Sequence, residues 1–139
     1  MSYIYRYAAK IVCGASDGKV VAPGEYWTAV NVRNTSAKGV AVQKKFFVAF
    51  PGEKCGPKTK TFEAKLDGEL AFEIDRDDIF AHTKDVGVTN WIKGFVLLQC
   101  EVELDVVAVY TVLGKGGSVS IHTERVPPRR ILKPTAKSK

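Results

Sequence analysis

The sequence predicts an all-β fold: an antiparallel β-sandwich, immunoglobulin-like or jelly-roll-like, of about eight strands with one short helical turn. Three observations predict it. Apolar residues recur at every second position over most of the chain, whereas the 3.6-residue period of a helix is nearly absent. Gly, Pro, Asn and Asp interrupt these runs at intervals of about ten to fifteen residues, the spacing of a sandwich or barrel. The chain has 139 residues, 45% apolar and 26% charged, enough for one buried core. The domain is expected over residues 1–130, followed by a flexible basic tail over 131–139.

The first strand runs from Ile4 to Cys13 and ends at Gly14. Tyr26, Thr28, Val30 and Val32 form one face of the second, and Asn34 to Gly39 is a turn. Val40 to Phe50 is the third strand, with Val42, Phe46, Val48 and Phe50 inward. Its Lys44-Lys45-Phe46-Phe47 step breaks the alternation and suggests a bulge or an edge. Pro51 to Lys60, with two prolines and two glycines, is a loop. Phe62, Ala64 and Leu66, then Leu70, Phe72 and Ile74, alternate with polar residues on either side of Asp67-Gly68. That pattern predicts a two-residue hairpin with Gly68 at positive φ and with Phe62, Leu66, Leu70 and Phe72 buried. Asp75 to His82 is one or two helical turns capped by Asp75. Gly94 to Gln99 and Val102 to Leu113 are strands, and Gly114 to Gly117 turns into a last strand, Ser118 to Val126. In that last strand His122 is on the solvent face, alternating with Val119 and Ile121.

The Val102–Leu113 strand carries the first partner signal. Val102, Leu104, Val106, Ala108, Tyr110 and Val112 face one way, yet Val107 and Val109 keep the other face apolar. Such a strand is central, or its outer face meets another subunit. Trp27 is a second exposed or intersubunit candidate.

Charge gives another signal. The net charge is +6, and Arg125, Arg129, Arg130, Lys133, Lys137 and Lys139 supply six cations with no acid among them. Residues 1–124 hold 15 basic and 15 acidic residues, so the excess is expected in the tail and not on a protein face. These six residues are the candidates for contact with nucleic acid or an acidic protein surface. Pro127-Pro128 ends the preceding strand because proline cannot donate to a ladder.

No set of residues defines a reaction, and neither catalytic residues nor cofactors are expected. His82 and His122 are the only histidines that could serve a cysteine or serine nucleophile as base. Cys100 at a strand end and His122 in the last strand could meet, but no spacing signature demands it. Asp75, Asp77 and Asp78 fail the calcium-loop pattern at Ile79 and Phe80, and Arg76 opposes a cation, so no metal is expected. Gly114-Lys115-Gly116-Gly117 lacks the phosphate-loop spacing. Trp27 and Trp91 are the residues of a carbohydrate or small-molecule alternative. Three cysteines without C-x-x-C spacing, and an N-terminal stretch without an export signal, suggest reduced thiols in the cytoplasm. No apolar run approaches a membrane span.

Gly94-Phe95-Val96, Glu103 to Thr111 and Glu124 to Arg129, with Pro23-Gly24-Glu25-Tyr26 through Asn31-Val32 and Asn34, resemble a family of small uncharacterised prokaryotic all-β proteins. The layout is more distantly similar to the sensory rhodopsin transducer proteins. That likeness implies a small cytosolic β-sandwich that assembles as an oligomer, and carries over no functional residue. The expectation is a non-enzymatic, homo-oligomeric sandwich acting as a structural, interaction or adaptor protein.

Overall fold

A computed structural model describes residues 2–134. Lys137 and Lys139, two of the tail candidates, lie outside the described residues. The described chain folds into ten antiparallel strands: β1 (Tyr3–Ser16), β2 (Gly24–Asn34), β3 (Val40–Phe50), β4 (Lys54–Lys58), β5 (Phe62–Leu66), β6 (Ala71–Ile74), β7 (Trp91–Cys100), β8 (Leu104–Gly114), β9 (Val119–Arg125) and β10 (Arg129–Leu132). One helix, α1 (Arg76–Thr83), and a single 3-10 turn (Lys84–Val86) join β6 to β7. The all-β, antiparallel, sandwich-like fold is as the alternation predicts, with ten strands instead of about eight. The extra strands lie where Pro51 to Lys60 reads as loop and where the tail begins. The expected domain end at Arg130 falls inside β10, which pairs with Tyr3–Arg6 of β1 and continues to Leu132.

The strands run in the order β4-β3-β7-β1-β2-β8-β9, and the sheet does not close. β1 is the seam. It pairs with β7 over Tyr5–Gly14, but with β2 only over Gly14–Ser16. Beyond that corner the two halves diverge and enclose the core. Gly14 makes the corner possible: its φ is +111°, and a Cβ there would sit 2.1 Å from the Asn90 carbonyl oxygen. The core is filled by alternate residues from both halves: Tyr7, Ala9, Ile11 and Cys13 of β1, Val30 and Val32 of β2, Val96 and Leu98 of β7, Val106 and Ala108 of β8.

Where β1 and β2 part, side-chain hydroxyls take over from the backbone ladder. Thr28 Oγ1 accepts from Val12 N–H (2.9 Å) and donates to the Val12 carbonyl (2.8 Å). Tyr7 Oη does the same across the core with Leu104, accepting at 2.6 Å and donating at 3.0 Å. Tyr110 Oη donates to the Lys10 carbonyl at 2.8 Å. Burial, reinforced by the Glu124 charge, pushes the Tyr110 phenol up to about 12 from its ordinary 10.0. Its contribution to stability is therefore complete below pH 10 and lost as pH rises through 12. The stability difference between wild type and Tyr110→Phe should be constant to pH 10 and shrink above it. A difference that stays constant to pH 12 would contradict this assignment.

The hairpin expected at Asp67-Gly68 is not formed. β5 pairs with β3 and β6 pairs with β2, so the connection crosses from one half of the sandwich to the other. Buried Asn34 anchors it: Nδ2 donates to the carbonyls of Lys38, Leu66 and Asp67, and Oδ1 accepts from Ser36 N–H. Positive φ falls on Glu69 (62°), not on Gly68. Gly68 is required for space instead, since a Cβ there would lie 2.1 Å from the Ala37 carbonyl oxygen. Leu66 is buried and Phe62 and Phe72 are half-buried, but Leu70 is 57% exposed.

The break in β3 also has a cause. Lys44 occupies an inward position between buried Val42 and Phe46, and burial lowers its proton affinity. The register shift itself lies at Phe47–Ala49 against β4, and Phe50 is exposed. The helical turn forms as expected. Asp75 caps α1, accepting from Asp78 N–H at 2.9 Å while Asp78 Oδ2 accepts from Asp75 N–H at 3.0 Å.

Candidate interaction surfaces

β8 is a central strand, paired along its length with β2 and over Val107–Leu113 with β9. Directly opposed residues of an antiparallel pair share a face. The register therefore sets four rows on the outer side of β2, β8 and β9: Asn31, Val107 and Arg125; Ala29, Val109 and Thr123; Trp27, Thr111 and Ile121; Glu25, Leu113 and Val119. The three residues the sequence singled out, Trp27, Val107 and Val109, lie together on this face. Leu113, Val119 and Ile121 extend it, and the last two are 74% and 71% exposed. Trp27 is 37% exposed.

Charged pairs border this apolar strip. Arg76 lies 5.1 Å from the Trp27 ring and holds Glu25 at 2.6 Å, while Arg33 meets Asp105 at 3.8 Å near Arg125. An apolar centre with a polar rim is the anatomy of a protein interface.

β9 alternates as expected, with exposed His122 on one face and Val119 and Ile121 on the other. Val119 and Ile121 point outward with Trp27, and His122 points to the Tyr110 side, stacked on that ring at 6.2 Å. All seven β9 residues are exposed. Its backbone is half-paired as well. Gly114 N–H donates to the Ser118 carbonyl and Val126 N–H to the Val106 carbonyl. In the register between them, even-numbered β9 residues turn their backbone groups to β8. Val119, Ile121, Thr123 and Arg125 turn theirs to the outer edge. Among the described residues β9 pairs with β8 alone.

Of the six cations expected to act together as a tail, the four described ones disperse. Arg125 is on the apolar outer face, Arg129 opposes Arg6 on β1, Arg130 lies 4.4 Å from the Tyr3 ring, and Lys133 Nζ holds Glu101 at 2.6 Å. Nor is positive charge confined to them, since the outer side of β1, β7 and β3 gathers cations of its own. Trp27 and Trp91 do not form a joint platform. Trp91 packs edge-on against Tyr26, and Trp27, the next residue, points to the other side of β2.

Cys100 is buried on β7, its thiol pushed up by burial, while His122 stands 3.8 Å from Glu124 on β9. Cys13, Cys55 and Cys100 are all free. Among the described residues no three His, Cys, Asp or Glu side chains are grouped to hold a metal, and no helix is long and apolar enough to cross a membrane.

No protein-family model and no curated protein matches the chain. A solved structure, that of Thermotoga maritima 1070, is similar over 91% of this chain and 93% of the other, with a TM-score of 0.58 and 9% identity. At that identity the likeness bears on the fold alone.

Proposed function

We propose that the protein is a non-enzymatic, self-assembling β-sandwich, a structural or adaptor protein whose second copy covers the outer face of β2, β8 and β9. The observation that carries this reading is the set of apolar residues on one outer face, Val107, Val109, Trp27, Leu113, Val119 and Ile121, interrupted only by Thr111, Thr123 and the rim residue Glu25. Each such side chain contributes roughly 1.5–3 kcal/mol when fully buried, so a chain that leaves them in water forgoes a large association energy. The outward backbone groups of β9 add a row of hydrogen bonds for a second strand. The distant likeness in layout to the sensory rhodopsin transducer proteins, which implies oligomers, supports the same reading. Free cysteines support a cytoplasmic setting.

Val119→Asp with Ile121→Asp tests the reading without disturbing the core, since both residues are already exposed. The double variant should remain folded by circular dichroism and elute as a monomer where wild type elutes as an oligomer. Val107→Asp with Val109→Asp should dissociate it too. An oligomer of unchanged mass in both variants would sink the proposal.

A further inference from the structure

The outward positions of the other half of the sandwich form a second surface. The register aligns Arg129, Arg6, Gln99 and Gln43 in one row, then Ala8, Leu97 and Lys45, then Lys10, Phe95, Phe47 and Lys58, with Lys93 beside Val12. Six cations thus share one face, and no outward paired position of β10, β1, β7, β3 or β4 is acidic. Glu63, opposite Gln43 on β5, is the nearest acid in the register. Among the described residues none of the six pairs with a carboxylate. Two aromatic rings lie among them. Phe95 is 41% exposed with Lys10 Nζ 4.7 Å from its centroid, and Lys45 Nζ is 5.9 Å from that of Phe47. Lys10 and Lys93 are close enough to repel.

We propose that this face binds single-stranded nucleic acid without sequence preference, phosphates on the six cations and bases on Phe95 and Phe47. Charge complementarity selects a polyanion, and rings interleaved with cations select one that offers unstacked bases. The face is a sheet with no helix to enter a duplex groove, so base edges are not read. It lies on the half of the sandwich away from Trp27 and Ile121, so assembly through that apolar strip leaves it open. The proposal is therefore independent of the self-assembly reading.

The test is fluorescence anisotropy of labelled oligo-dT and oligo-U, about 20 nucleotides long, with the full-length protein. With four to six phosphate contacts, log affinity should fall against log salt with a slope of about −3 to −4. Phe95→Ala should weaken binding roughly 5- to 100-fold, and Phe95→Trp should restore it. Lys10→Gln with Lys93→Gln should weaken binding and flatten the slope by about 1 to 1.5. Lys137→Gln with Lys139→Gln should leave affinity within about twofold if the face carries the contact. No binding at about 50 mM salt would overturn the proposal. So would binding unaffected by the Phe95 and Lys10/Lys93 variants, loss in the Lys137/Lys139 variant alone, or binding of polyglutamate or anionic vesicles in place of the oligonucleotides.

Discussion

Gly94→Ala should cost about 3 kcal/mol or more of folding stability, a large part of what holds a domain of this size together. A Cβ at this position would lie 1.8 Å from the Phe47 carbonyl oxygen. That oxygen belongs to the backbone of β3 where it pairs with β7, so it cannot swing away as a flexible side chain would. The methyl group can be accommodated only by separating the two strands. Gly39→Ala is the matched control. Its nearest atom would be 3.6 Å away, an ordinary contact, and the change should alter stability by less than about 1 kcal/mol. Urea unfolding of both variants measures the contrast. Equal stability would show that β3 and β7 are not packed as described.

Tyr7→Phe should destabilise by about 2–4 kcal/mol while leaving the core volume almost unchanged. The hydroxyl both accepts from Leu104 N–H and donates to the Leu104 carbonyl, and Tyr7 and Leu104 are buried. Its removal strands a backbone donor and an acceptor away from water, and their desolvation is then uncompensated. Calorimetric unfolding of the variant reads the loss directly. A change below about 0.5 kcal/mol would mean that water reaches this end of β8.

Alternation made much of this architecture legible. It placed Thr28, Val30 and Val32 on one face of β2 and Leu104, Val106 and Ala108 on one face of β8, and both sets are buried. The cap at Asp75 was equally local and equally readable. Pairing partners were not, because a two-residue period tells a side chain which face of its own strand it occupies and nothing about the neighbouring strand. Asp67-Gly68 illustrates the gap. The same local pattern suits a hairpin or a crossing between halves, and the choice is made by Asn34, 32 positions from Leu66.

The candidate site was half legible for the same reason. Trp27, Val107 and Val109 stood out as apolar residues on outward positions. Val119 and Ile121 did not, although the register of β8 with β9 pairs odd residues with odd ones and so carries them to the same face. The cationic face was hidden by arithmetic. Residues 1–124 carry equal numbers of acids and bases, and only folding sorts them, with Arg6, Lys10, Lys45 and Lys93 on one sheet half and Arg33 beside Asp105 on the other.

Sedimentation velocity of the unmodified protein, followed through micromolar concentrations, tests self-assembly most directly. With the apolar strip covered by a second copy, the principal species should have at least twice the 15.2 kDa mass of one chain and should dissociate on dilution. A single 15.2 kDa species across the whole range would contradict the assembly.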